Sequence, residues 1–528
     1  MLIGYVSDER FAALADVLVE ISTECTPLLL RTGVTGSIHA DVPAGRYRIW
    51  LSKPGFGSKS VDIDLPVSAP HQFRMLSDDV LGYAWPKWVR AGEASEFRVH
   101  SPEPYELELW RYGLSKELVR PIGAFDEFGP RACIQLLPDG DFTQTGVSWN
   151  KIGYGNPIYR QYVTAPAKSG LYYFHARTRS GKTFAFPWIV AAAQPTEKIA
   201  VLASNVRWNA YNVFGGRNNY VNPIRMPRAP TVNARQDLER YNIDDHIDYL
   251  SEQYDPLSFD RPEWINDVPL DAMVTDKIAG RYACGAAPAE WRVLGWLERE
   301  GFDYDFYAET QLHDGTLDLD RYRVLVMSTH PEYWTRQMYM KVKDWVHNRG
   351  GRLVYLGGNG MNCEVEIDGD RMICKNGNER DRVAANMTES RFHASFENEA
   401  NLLGVVYTHA GVMTAAPYEV VAPDHWVFEG AEVAMGDIFG RETLNTRCPG
   451  GASGHEMDKH SEFSPPGTVL LAKGLNPDDG GAHMSIYETA SGGSVFAAAS
   501  IAFGSCLLLD GVASKLTANV LTRFLGTP

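Results

Sequence analysis

YRVLVMSTHPEYW, residues 322–334, opens on apolar and β-branched side chains and closes on an imidazole, a proline, a carboxylate and two aromatic rings. The run Tyr322 to Met327 has no polar alternation, so it predicts a strand buried on both faces, as in a parallel sheet. Beyond it, Met338, Val342, Trp345 and Val346 fall at helical spacing within 335–348, and Thr335 is suited to cap that helix. His330 and Glu332 therefore stand on a strand-to-helix turn at the carboxyl edge of a sheet. Open α/β sheets bind their ligands at that edge. Bracing of the turn is the alternative role for the pair, and residues elsewhere in the chain decide between the two.

Working outward, KIAVLAS (198–204), RLVYLGG (352–358) and SVFAAASIAF (494–503) are further apolar strand candidates. A helix is predicted from Pro288 to Glu300, with Gly301 just past its end. Strand alternating with helix predicts a large α/β domain over 196–528 with a mostly parallel, doubly wound sheet. The stretches 205–280 and 360–450 are rich in Asn, Arg, Asp and Pro and read as long functional loops, subunit contacts or small subdomains. Upstream, Tyr47, Ile49 and Leu51 alternate behind a Pro43–Gly45 turn, which predicts a small β-sandwich over 1–75. Short strands such as YELELWRYG and GLYYFHART predict a second, Greek-key sandwich over 76–195, with 191–198 as the linker. The expected fold class is thus mixed, an N-terminal β-sandwich region followed by the α/β domain.

At 528 residues the chain is too long for a single core. Its net charge of −16 argues against nucleic acid or an anionic membrane as partner. There is no run of 18 apolar residues to span a bilayer, and MLIGYVSDERFAAL lacks the features of a secretory signal. The seven cysteines, at 25, 133, 284, 363, 374, 448 and 506, are odd in number and form no C-x-x-C pair. That pattern fits reduced thiols in a cytoplasm and argues against cysteine-bound structural zinc.

A parallel sheet gathers the turns that follow its strands. Here those turns carry Trp208-Asn209-Ala210-Tyr211-Asn212 and the nearby Tyr220, then His330 and Glu332, then Gly357-Gly358-Asn359-Gly360. Taken singly, Tyr211 could be an aromatic packed on the sheet and Asn359 a left-handed turn residue. A fourth cluster, Gly450-Gly451-Ala452-Ser453-Gly454-His455-Glu456, lacks the G-x-S-x-G pattern of a serine hydrolase, but its His-Glu pair can supply a general base. Zinc-helix, EF-hand and P-loop patterns are absent. The oxygen-rich set Tyr211, Tyr220, Tyr254, Asp260, Glu332 and Glu456 favours a hard cation such as ferric iron.

Over 196–528 the chain resembles the large (beta) subunit of the N,N-dimethylformamidase family. The likeness lies in W-N-A-Y-N-x-F-G-G-R (208–217), P-L-S-F-D-R-P-E (256–263), W-L-E-R-E-G-F-D-Y-D (296–305), H-P-E-Y-W (330–334), G-G-N-G (357–360) and G-A-S-G-H-E (451–456). GYAWPKW (82–88) and LWRYGL (109–114) extend it upstream. The resemblance implies an amidohydrolase acting on the C–N bond of a small linear amide, with one iron (Fe3+) held by two tyrosines and a glutamate. It implies Tyr211 and Glu332 as two ligands, His330 beside the metal, Asn359 in the pocket and Glu456 as the base. Tyr333 and Trp334 are assigned to packing. The second tyrosine falls in a segment that reads Tyr254 to Asp260 here, with Phe259 or Asp260 at the matching position, so Tyr220, Tyr254 or Asp260 is left to complete the set. A separate small subunit and a homo-oligomer are the implied partners. A non-catalytic subunit or binding protein that has lost its metal is the alternative. A metal-free enzyme built on the glutamine-amidotransferase-like topology expected for 196–528 would need a cysteine at a strand–helix elbow, and Cys363 comes nearest.

Overall fold

The structure, a computed structural model, describes all residues except 25, 126–133, 153–160, 233–253, 279–283, 376–391, 393–394 and 527–528. Cys25 and Cys133 lie outside the described residues; the other five cysteines are buried free thiols.

The chain begins with two small sheets over one apolar core. Leu2–Ser7 lies between Ser37–His39 and His71–Arg74, while Leu28–Arg31, Leu18–Ile21, Gly45–Ser52 and Lys59–Leu65 form an antiparallel sheet. In Gly45–Ser52, Ile49 and Leu51 point inward and their neighbours outward, which is the period-two pattern of a half-buried strand. A second pair of sheets follows, packed around Trp149, Phe174 and Trp188. Its larger member runs Lys116–Phe125, Tyr105–Tyr112, Gly170–Thr178, Thr183–Ala191 and Trp88–Arg90.

Among the described residues the central sheet has nine strands. Asp305–Ala308, Ile199–Ala203, Val324–Thr329, Arg352–Gly357 and Ser494–Ala497 run parallel. His483–Glu488, Val469–Gly474, Tyr418–Val420 and Ile438–Phe439 continue it antiparallel. Among the described residues strand makes up 35% against 17% helix, so the expectation of a mostly parallel, doubly wound α/β domain is wrong. The sheet is mixed and the chain is mostly β. Parallel strands need a long crossover, whereas Glu488 returns to Ser494 through a short turn holding Gly492 at φ 86°, which only an antiparallel partner can use. The stretch 360–450 also carries strands: Cys363–Asp368 and Arg371–Lys375 form a hairpin that pairs with Tyr333–Trp334 and Leu257–Ser258.

Local signals around the parallel strands held. Thr335 caps Arg336–Arg349 by accepting from the Met338 N–H at 3.2 Å. Ala287–Arg299 carries Pro288 in its first turn, and Gly301 sits past its end at φ 78°. This helix buries Trp291, Leu294 and Trp296, and it also buries Glu290. The Glu290 carboxyl accepts from the Ser204 N–H at 3.0 Å and from Trp208 Nε1 at 3.1 Å, while Glu309 accepts from the Val206 N–H at 3.3 Å. Ser204 offers no side-chain cap, so these two acids serve the open N–H groups of helix Asn205–Tyr211.

Burial pushes the Glu290 carboxyl up to about 8, against the hydrogen bonds from Ser204 and Trp208 that favour its charge. A carboxyl whose native pKa exceeds its unfolded value binds more protons in the folded state. Its contribution to stability is complete below about pH 4.5 and is lost as pH climbs toward 8. Glu290→Gln keeps the shape without the charge. Its stability, followed by chemical denaturation, should fall less between about pH 5 and pH 8 than the parent's. Parallel profiles would show that Glu290 is ionised throughout.

Candidate active site

Val324–Thr329 ends on Thr329 at φ 65°, a left-handed conformation that is costly for a β-branched residue and turns the chain out of the strand. His330 and Glu332 follow, both side chains 1% exposed. The Glu332 carboxylate receives Tyr211 Oη at 2.8 Å on Oε2 and Tyr220 Oη at 2.8 Å on Oε1. The two phenol oxygens are themselves 2.8 Å apart. Tyr211 arrives on the last turn of the helix propped by Glu290 and Glu309. Tyr220 arrives on a turn closed by the Asn218 carboxamide, whose oxygen accepts from the N–H groups of Tyr220 at 2.7 Å and Val221 at 2.6 Å.

The catalytic candidates stand on the other side of Glu332. His330 Nε2 is 3.1 Å from Glu332 Oε2 and 3.1 Å from Glu456 Oε2. Asn359 Nδ2 donates to the same Glu456 oxygen at 2.9 Å. Glu456 is the more open of the two carboxylates, its side chain 14% exposed. Burial opposes its charge, but the neighbouring His330, with further help from His455 and Arg447, outweighs burial and holds the carboxyl well below the usual range. His330 is the converse case: burial disfavours its charge, and the two glutamates override burial and raise its pKa. His330 and Glu456 thus each favour the other's charged form.

The structure thus brings Tyr211, Tyr220, Glu332, His330, Glu456 and Asn359 into one cluster. Asp260 is elsewhere, bound by Tyr83 Oη at 2.6 Å and Arg98 Nη1 at 2.6 Å. Phe259 packs edge-on against Trp88. Tyr254 is buried, and its N–H donates to the Cys374 carbonyl at 3.1 Å. Cys363 opens a strand that pairs with Tyr333 and stands at no strand–helix elbow.

Several site residues escaped the sequence. Tyr333 does more than pack: its hydroxyl donates to Tyr220 Oη at 2.8 Å and accepts from Asn219 Nδ2 at 2.7 Å. Trp334 Nε1 donates to Glu309 at 2.7 Å, which ties the turn to the helix that carries Tyr211. Asp458 accepts from the Asn359 N–H at 2.7 Å and from Tyr355 Oη at 2.8 Å, and so holds Asn359 in its left-handed conformation at φ 51°. Asp458 lies two residues past Glu456 at the strand Met457–Lys459, and extended backbone puts i and i+2 on one face. That spacing could have disclosed it.

Whether these side chains suit a metal turns on their protons. Tyr211, Tyr220 and the Glu332 carboxylate make three oxygen–oxygen contacts of 2.8 Å, yet two phenols bring only two hydrogens. The third contact needs a hydrogen that the phenols do not supply, and either a proton on Glu332 or a bound cation satisfies it. Oxygens that share a cation at bonds of about 2.0–2.1 Å and right angles stand about 2.8–3.0 Å apart, so the spacing fits. Among the described residues no group of three or more His, Cys, Asp and Glu side chains could hold a metal.

The sequence profile described as "N,N-dimethylformamidase beta subunit-like, C-terminal" matches residues 156–515. The chain belongs to this family. It is 27% identical to the N,N-dimethylformamidase beta subunit of Paracoccus aminophilus over 390 residues, which is 62% of this chain and 49% of that protein. It is 28% identical to the beta subunit of the same name from Alcaligenes sp over 289 residues, 45% of this chain and 37% of that protein. The chain spans about half the length, or less, of these curated relatives. Among solved structures, a DUF3823 family protein from Bacteroides ovatus matches at 7% identity and a TM-score of 0.13 over 35% of this chain and 97% of its own, which bears on neither fold nor function. Among the described residues no helix is long and apolar enough to cross a membrane.

Asp458→Ala leaves a buried N–H and a buried hydroxyl without their acceptor. It should cost about 2–4 kcal/mol in urea denaturation. A loss under about 0.5 kcal/mol would show that Asn359 does not depend on it.

Proposed function

We propose that the chain is a metal-dependent amidohydrolase that cleaves the C–N bond of a small amide. Tyr211, Tyr220 and Glu332 would hold a single iron ion. The observation that supports this is the closed set of two phenols and one carboxylate with a base, an imidazole and a carboxamide at its edge. A ferric ion bound there would supply Lewis-acid polarisation of the amide carbonyl and lower the pKa of water.

The remaining work belongs to side chains. Glu456, kept ionised and partly open to solvent, takes the proton from the attacking water. His330 spans Glu456 and Glu332, so it holds the base in place and balances the charge between the two carboxylates. Asn359 orients Glu456 through its Nδ2, and it stands where a carboxamide can steady the oxygen that gains charge as the carbonyl becomes tetrahedral. Transfer of the proton from Glu456 to the departing nitrogen completes the reaction.

The curated relatives are named as beta subunits, and we propose that this chain also assembles, with a separate small subunit or with copies of itself. A non-catalytic subunit is the competing reading, and metal content separates the two. Protein purified from iron-supplemented cells should hold about one iron per chain and show a visible phenolate-to-iron charge-transfer band. Tyr211→Phe, Tyr220→Phe and Glu332→Ala should each lose the band. Glu456→Gln should keep metal and band while amide hydrolysis falls on the order of 10²–10⁴-fold. Iron-free parent protein, or metal retained by all three ligand variants, would refute the assignment.

A further inference from the structure

Building on the amide reading above, we propose that the substrate carries a carboxylate at its far end, drawn in by a cationic cavity and received by Arg207. The chain as a whole is acidic, with a net charge of −16, so clustered cations stand out against it. A cavity of about 510 Å³, large enough for a small ligand, is lined by Lys277, Arg441, Glu442, Asn445 and Thr446, among others. Neither Lys277 nor Arg441 forms an ion pair among the described residues. Arg447 follows on the same segment and acts electrostatically on both His455 and Glu456.

Two contacts lead from the wall of this cavity toward the candidate active site. Asn445 Nδ2 lies 3.5 Å from His455 Nδ1, and His455 adjoins the proposed base. Thr446 Oγ1 lies 3.7 Å from Cys284 Sγ, and the next residue, Gly285, lies flat against the Arg207 guanidinium. A Cβ at Gly285 would stand 3.0 Å from Arg207 Nη2, so the absence of a side chain there lets the guanidinium fit. On its other face the guanidinium stacks on Tyr211, with Cζ 3.9 Å from the ring centre.

Arg207 is 1% exposed, and its Nε and Nη1 have no hydrogen-bond partner among the described residues. Buried guanidinium donors are costly to leave unmade, and two other buried arginines near the site are served: Arg261 by carbonyls of Asn209, Asn212 and Phe214, and Arg217 by Asp141. The planar fork of an arginine matches the two oxygens of a carboxylate. An anionic end anchored beside Tyr211 would spend its binding energy on orienting the amide at Glu456.

The test uses the 528-residue chain and two probes of one size, N-acetylglycine and its neutral counterpart N-acetylglycinamide, titrated by calorimetry at low and high salt. N-acetylglycine should bind at least about tenfold tighter at low salt, and added salt should erode the preference. The surface pair Lys277→Ala/Arg441→Ala should weaken N-acetylglycine several-fold without touching N-acetylglycinamide, and Arg207→Met should abolish the preference. Equal binding of the two probes, binding of neither, or a double variant that behaves like the parent overturns the proposal. The double variant decides alone if Arg207→Met fails to fold. Release of acetate is read separately: tight N-acetylglycine binding without hydrolysis counts against the amidohydrolase reading and leaves the charge preference standing.

Discussion

The structure around the site answers one demand, which is that the Glu332 carboxylate sits almost fully buried and must be satisfied there. An unpaired carboxylate in the interior costs several kcal/mol or gives up its charge. Each neighbouring element removes part of that cost. The helix ending at Tyr211 brings one phenol, the Asn218 turn brings Tyr220, and the kink at Thr329 swings the His330 ring alongside. The first of these elements has no side-chain cap of its own. Helix Asn205–Tyr211 hangs from the acids Glu290 and Glu309, and Glu309 is tied in turn to Trp334, two residues past Glu332. The cluster is therefore cooperative, and loss of one donor strains the rest.

The mixed sheet explains how groups so distant in sequence meet. Its parallel half delivers the ends of Ile199–Ala203, Val324–Thr329 and Arg352–Gly357 to one edge. Its antiparallel half folds the later chain back over that edge. The Met457–Lys459 segment pairs with Val406–Thr408, and the Asp458 N–H donates to the Ala499 carbonyl at 3.0 Å. Gly358 makes the approach possible, because a Cβ there would lie 2.5 Å from the Glu456 carbonyl oxygen. Glu456 thus reaches both His330 and Asn359, and Asp458 reaches the Asn359 backbone. A wholly parallel sheet with helical crossovers would have left them on a distant surface.

Much of the local structure was legible. The buried strand before His330, the Thr335 cap and the Pro288 and Gly301 boundaries follow from short-range patterns, and short-range patterns are what propensity and periodicity report. The antiparallel strands were not legible. Val469–Gly474 and His483–Glu488 show neither a long apolar run nor clean alternation, since they are held by pairing with neighbours rather than by their own composition. The residues between Tyr254 and Asp260 left the choice beside Tyr211 open for a related reason. Matching position for position cannot see that Asp260 is already committed to Arg98 and Tyr83, or that Tyr220 fills the place beside Tyr211.

By itself the sequence determined which chemical groups are at hand and on which turns they stand: the His-Pro-Glu motif after a buried strand, the tyrosines after another, the asparagine of a glycine turn, and a late His-Glu pair. Chain connectivity and local sterics are enough for that. Only the tertiary structure decided which groups touch. It set Tyr220 beside Tyr211 on the Glu332 carboxyl group and Asp458 behind Asn359. Those contacts bridge up to 121 residues of chain between Tyr211 and Glu332 alone. They exist because burying Glu332 is tolerable only where packing from several distant segments delivers its partners together.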